Sequence, residues 1–231
     1  MLGGGMPPPY EANYTQIHNF SERVSFMNAI FSLGLGYLLG CFNPAAWVGR
    51  KKNVDLKKSG TKNLGATNTA LVLGKKAGYF VLIFDIFKSF FSYRLAKYLF
   101  PQLRLAGLIA GFGTLLGHCF PVTMGFSGGK GLASFGGLVL AQDPLLFCVL
   151  LSLGILVALK LNYGVYLAIT ATVLFPFAAY LRTGDVGVLL ATAASSALIF
   201  GMHLHNLKRA ISHEDPIEVT VGLKHIFGKK K

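Results

Sequence analysis

Charge is what this sequence has least of. Only 13% of its 231 residues are Asp, Glu, Lys or Arg, about half the share of a soluble globular protein, so a water-soluble surface is excluded. Acidic residues are scarcer still, 9 against 22 Lys plus Arg, for a net charge of +13. Cysteine is limited to Cys41, Cys119 and Cys148, an odd number, each in or beside an apolar run; that excludes a disulfide framework. No CxxC or paired-His spacing suggests a metal, and no cofactor is implied. The first 25 residues lack the basic n-region and small-residue cleavage site of a secretory signal. They read as an irregular Gly/Pro-rich tail that turns polar before a first helix that stays in the membrane.

What the chain has instead is apolar length: 53% of residues are hydrophobic and the mean hydropathy is +0.54. Runs fall at 26–48, 78–99, 105–120, 132–141, 145–159, 164–181 and 187–204. A span needs about 20 residues, so the first, second, sixth and seventh suffice alone, and the middle three suit tilted or broken helices. The expected fold is an all-α polytopic membrane helix bundle of about seven transmembrane helices. It divides into a tail over 1–25, a transmembrane domain over 26–210 and a basic cytoplasmic tail over 211–231.

Positive charge orients the bundle. Arg50, Lys51, Lys52, Lys57, Lys58, Lys62, Lys75 and Lys76 crowd the first loop, and Lys208, Arg209, Lys224 and the final lysines crowd the C-terminal segment. Both belong in the cytoplasm under the positive-inside rule. With the N-terminus outside, about seven spans satisfy this and leave just Arg104 and Arg182 as cations in the outer loops. Placement of the excess charge beside spans points to anionic lipid or an anionic substrate, and no nucleic-acid partner is expected.

The stretch from Gly117 to Ser134, GHCFPVTMGFSGGKGLAS, sets His118, Lys130 and a glycine cluster between two apolar segments. Glycines bring backbone N–H groups close to a ligand, so such a turn opening a helix suits phosphate. Gly128, Gly129 and Gly131 with Lys130 are the candidate cradle. It is no Walker loop, because Met124 and Gly131 break that pattern. A second such run, SGTKNLGATN from Ser59 to Asn68, faces the same side; Thr61, Asn63, Thr67 and Asn68 offer neutral hydrogen bonds and Lys57 and Lys62 offer charge. The same run also reads as a solvated turn with a helix cap. Asp85 and Lys88 lie three residues apart on one helical face and pair, since either alone in lipid would cost about 3 kcal/mol; the pair reads as a structural ion pair or as one that orients the site. Where the last helix leaves the membrane, His203 and Asn206 share a face that His205 does not.

In this order, Asn63 with Gly65 to Asn68, the GKKAG run from Gly74 to Gly78, Asp85 with Lys88, Gly117 and His118 with Phe120 and Pro121, the GGKG run from Gly128, and His203 with Asn206 and Arg209 resemble the bacterial membrane acyltransferases of the PlsY family. The resemblance implies transfer of a fatty acyl group from acyl-phosphate to glycerol 3-phosphate, a monomer in the inner (cell) membrane with a cytoplasmic site, and membrane lipid as surroundings. Carried across, Lys130, His203, Asn206 and Asn68 would be catalytic. Lys57, Thr61, Asn63, Thr67, His118, Gly128, Gly129 and Gly131 would bind substrate. Departures stand at Cys41, at Lys57 in place of an Arg, and at Gly164 in place of a Ser. Lys cannot reproduce the bidentate fork of Arg, so a paralogue with another phosphorylated acceptor is an alternative, as is a transporter or binding protein for a small organic phosphate. If the helical-face reading holds, His203→Ala lowers turnover in an acyl-transfer assay more than His205→Ala, and equal losses would remove it.

Overall fold

The computed structural model describes residues 9–213, with side-chain surroundings from Ser21 onward. Among these residues the chain is all-helical, in nine α-helices: α1 (Pro9–Cys41), α2 (Pro44–Lys51), α3 (Ala66–Leu73), α4 (Lys75–Leu99), α5 (Ala106–Cys119), α6 (Leu132–Gln142), α7 (Pro144–Leu161), α8 (Val165–Thr183) and α9 (Val186–Ile211). The N-terminal stretch expected to be irregular is helical from Pro9. Residues 1–8 of that tail and 214–231 of the basic one lie outside the described residues.

Five segments are long and apolar enough to cross a membrane: Ser21–Lys51, Ala106–Met124, Pro144–Leu161, Val165–Thr183 and Val186–Ile211. Among the described residues this corrects the reading of run lengths at three places. The runs at 105–120 and 145–159 lengthen because flanking Val122–Met124 and Pro144 continue the helical path. The run at 78–99 lies within a 25-residue helix, but Lys75, Lys76, Asp85, Lys88, Arg94 and Lys97 make α4 too charged to count on apolarity alone. Helix α6 is short, at 11 residues.

The first span is broken at Phe42 and Asn43. Proline at the start of α2 has no N–H to continue α1 and pushes its predecessor to extended backbone, which Asn43 adopts. The Asn43 carboxamide then accepts from the Ala46 N–H at 2.9 Å, capping the new helix.

Glycine lets α1 and α5 touch backbone to backbone. A Cβ on Gly40 would lie 2.9 Å from Thr114 Cα, and one on Gly117 would lie 2.9 Å from Cys41 N. The small-residue spacings at Gly36/Gly40 and Gly113/Gly117 thus face each other, as close helix approach in lipid requires. A second centre is apolar: Phe135 and Phe175 meet edge to face at 5.4 Å, packed with Leu115, Leu138 and Ile199. At the far end from the first loop, Asp143 and Asp185 cap α7 and α9 and pair with Arg182 and Arg104 respectively.

Overpacking a tight contact typically costs about 1–3 kcal/mol. Gly40→Ala is therefore expected to lower the melting temperature of the purified protein, and Gly34→Ala, whose Cβ would meet nothing within 4 Å, to leave it unchanged.

Candidate active site

Helix breaks that the bundle tolerates only where protein surrounds them gather around one loop. After α5 the chain turns at Pro121, makes a 3₁₀ turn over Val122–Met124, and returns through residues 125–131 to α6. The Gly128 N–H donates to Cys119 O at 3.0 Å and the Gly129 N–H to His118 O at 3.1 Å. A Cβ at Gly128 would fall 2.7 Å from Pro121 Cδ, and one at Gly129 would fall 2.5 Å from Leu64 O; the loop has no room for side chains there. Gly131, at φ +80°, opens α6 without a side-chain cap. This corrects the expected cradle: the amides of Gly128 and Gly129 are consumed in shaping the loop, and the uncapped N-terminus of α6 supplies the donor end that suits an anion.

The loop delivers Lys130, half-buried, to α9. Its Nζ donates to Asn206 Oδ1 at 2.5 Å, and Asn206 stands one helical turn from His203 on the same face of α9. His203 is buried, whereas His205 is exposed. The His203 Nδ1 lies 2.9 Å from Ile199 O. A carbonyl only accepts, so Nδ1 carries the proton and, in the neutral ring, Nε2 is the acceptor.

Asn68 has a different task from the one the sequence suggested. Its carboxamide is fully buried; Nδ2 donates to Leu56 O, Ser59 O and Asn63 O at 2.9, 3.1 and 2.9 Å, and Oδ1 accepts from the Thr61 N–H at 2.7 Å. The amide is spent in holding the loop 56–63, with nothing left for a substrate. Gly60, at φ +59°, passes so close that any Cβ would strike this amide. Thr61 and Asn63 are half-buried and Thr67 is exposed in the first turn of α3. Leu64, next to Asn63, joins this loop to the glycine loop: its carbonyl faces Gly129 and accepts from Asn43 Nδ2 at 3.5 Å.

Lys57 is not gathered with Lys130. It lines an open cleft of about 600 Å³ with Arg50, Asn53, Asp55 and, at the end nearer the glycine loop, Leu64 and Met124. A neighbouring, more apolar groove of about 360 Å³ runs past Leu38, Phe42 and Trp47 and shares Ala46, Arg50 and Met124 with it. Arg50 thus borders both spaces, although its position in a run of loop cations marked it only as a topology signal.

His118 also differs from expectation. It is 2% exposed and lies beneath the glycine loop, its ring against Gly129, where it cannot touch a ligand. Its Nδ1 is 2.8 Å from Lys88 Nζ and 3.4 Å from Asp85 Oδ1. The Asp85–Lys88 pair expected from sequence is present at 2.7 Å. Among the described residues no group of His, Cys, Asp and Glu could hold a metal.

An all-helical bundle with membrane-length apolar helices is an integral membrane protein, and a lysine, histidine and amide cluster gathers at its helix breaks. The chain belongs to the glycerol-3-phosphate acyltransferase family, whose profile matches residues 30–213. Glycerol-3-phosphate acyltransferases of Allorhizobium ampelinum and Enterococcus faecalis are 33% and 34% identical to it, over 83% and 89% of this chain and 92% and 98% of theirs. Crystal structures of PlsY (YgiH), an integral membrane glycerol 3-phosphate acyltransferase, are similar at 31% identity. The glycerol 3-phosphate form superposes with TM-score 0.78, covering 86% of this chain and 98% of that one; the lysophosphatidic acid form gives 0.74.

Each buried hydrogen-bonding group left without a partner costs about 1–3 kcal/mol. Asn68→Ala is therefore expected to destabilise the first loop, seen as faster amide hydrogen exchange over 56–63 with slower change in α7 and α8.

Proposed function

We propose that the protein transfers a fatty acyl group from acyl-phosphate to the 1-hydroxyl of glycerol 3-phosphate, forming lysophosphatidic acid and inorganic phosphate for phospholipid synthesis. The contact of Lys130 with Asn206, one helical turn from His203, carries this reading. It joins the end of the glycine loop to the last helix, uniting a positive charge, an amide and an imidazole with an uncapped helix N-terminus. Family membership and the glycerol 3-phosphate and lysophosphatidic acid forms of the similar structures support the same acceptor and product.

Acyl-phosphate already carries a good leaving group, so the protein's task is orientation and charge. Lys130 and the first amides of α6 neutralise phosphate. Asn206 holds the Lys130 ammonium in place, and His203 Nε2 accepts from the glycerol hydroxyl and aligns it. The hydroxyl oxygen bonds to the acyl carbon, the acyl–phosphate bond breaks, and the hydroxyl proton ends on phosphate. Gly128, Gly129 and Gly131 shape the cradle. Thr61, Asn63 and Thr67 border the acceptor side, and Lys57 with Arg50 draws anions into the adjoining cleft.

The bundle crosses the inner (cell) membrane about seven times, with α1, α4, α5, α6, α7, α8 and α9 as the crossings. The N-terminus is outside, and the C-terminus and the site face the cytoplasm, where the Lys-rich first loop stays under the positive-inside rule. The protein acts as a monomer, with one transmembrane acyltransferase domain over 26–210.

Removing a charge that acts mainly on the transition state costs about 10²- to 10³-fold in rate. Lys130→Ala in detergent is expected to lose that much turnover with palmitoyl-phosphate and glycerol 3-phosphate, product being counted by mass spectrometry. Wild-type protein that releases no phosphate with this acceptor or related phosphorylated alcohols would sink the assignment.

A further inference from the structure

Lys88 and Asp85 are buried in α4, on the far side of His118 from the glycine loop. We propose that they are positioning residues that set the loop through His118; this rests on the reading of Lys130 and the loop as the phosphate site. The Lys88 ammonium has three protons and no lone pair. It meets Asp85 Oδ1 at 2.7 Å, His118 Nδ1 at 2.8 Å and Phe42 O at 3.1 Å, with Gly40 O at 3.5 Å. One cation therefore joins the frayed end of α1, helix α4 and the end of α5.

The same geometry selects the His118 tautomer. An ammonium can only donate, so Nδ1 is the acceptor and the neutral ring carries its proton on Nε2. Asp85, farther away at 3.4 Å from Nδ1, compensates the Lys88 charge and does not compete for that nitrogen. The Nε2–H edge faces Gly129, where a Cβ would also meet His118 Cε1 at 3.1 Å and Leu64 O at 2.5 Å. His118 also holds the loop from its backbone, accepting from the Gly129 N–H at 3.1 Å. The imidazole is thus a polar support, backed by the Lys88 charge, beneath the residue preceding Lys130, and that residue also meets the first loop at Leu64 O.

Two substitutions at His118 separate positioning from bulk packing. Gln keeps a carboxamide that can accept from Lys88 and donate toward Gly129, and Phe keeps the ring volume with neither function. Binding of inorganic phosphate is measured by calorimetry on the full-length protein in detergent, beside the KM for glycerol 3-phosphate and kcat with palmitoyl-phosphate. Loss of a hydrogen bond in a charged network predicts that His118→Phe weakens phosphate binding and raises KM by about tenfold or more. The melting temperature falls in His118→Phe, because the buried Lys88 ammonium loses an acceptor, but the protein stays folded at the assay temperature, and His118→Gln recovers most of the loss in phosphate binding and KM. Lys88→Met shifts the same quantities in the same direction, and if it does not fold the His118 pair decides alone. Phosphate binding by His118→Phe equal to wild type, or equal impairment in Gln and Phe, overturns the positioning role. Wild-type protein that neither binds phosphate nor transfers acyl groups overturns the phosphate-site reading itself, and the positioning role with it.

Discussion

A cation buried in an apolar bundle constrains everything near it. Isolated, the Lys88 ammonium would cost several kcal/mol to remove from water, so acceptors must be brought to it from every side. The fold meets that demand with the Asp85 carboxylate, the His118 ring and carbonyls at the end of α1. Those carbonyls are available because Pro44 interrupts the first span, and the ring is in reach because α5 ends at the next residue. The charge at 2.7 Å from Asp85 is an ion pair held by proximity more than by a well-aimed hydrogen bond. Helix breaks, which lipid would penalise, are thereby gathered at one level of the bundle, and the glycine loop lies over them.

Much of the architecture was legible because lipid simplifies the code. Apolar runs located the helices, and the pairing of Asp85 with Lys88 followed from three-residue spacing and the cost of burying one charge alone. Helix length was harder to read where composition and structure part. Val122–Met124 extends an apolar segment past a proline, and the charges of α4 sit on a helix that packs against α5 and α6. Run length reports apolarity, and it misjudges a helix that carries a buried ion pair at its middle and exposed cations toward its ends.

The site was legible by residue type and less so by role. Lys130 meets Asn206, and three-residue spacing sets His203 on the same helical face as that amide. Asn68 and His118 carry the same polar chemistry as ligands do, but each turns it inward: one ties its own loop together and the other supports a neighbouring loop. Sequence spacing cannot separate these uses, since both need a buried polar group at a turn. A partial signal existed in Gly60 and Gly129, whose lack of side chains marks the places where those groups approach backbone.

His203 has one further consequence. With Nδ1–H tied to Ile199 O, the ring offers a vacant lone pair on the other side and holds no spare proton there. It can receive but cannot be the first to give. The proposed transfer from acyl-phosphate to an alcohol neither consumes nor releases a proton beyond the one that moves from hydroxyl to phosphate, so a ring in this state would match a closed proton count. The traffic can run from acceptor to leaving group within the site, with no wire to bulk water through the surrounding lipid-facing helices.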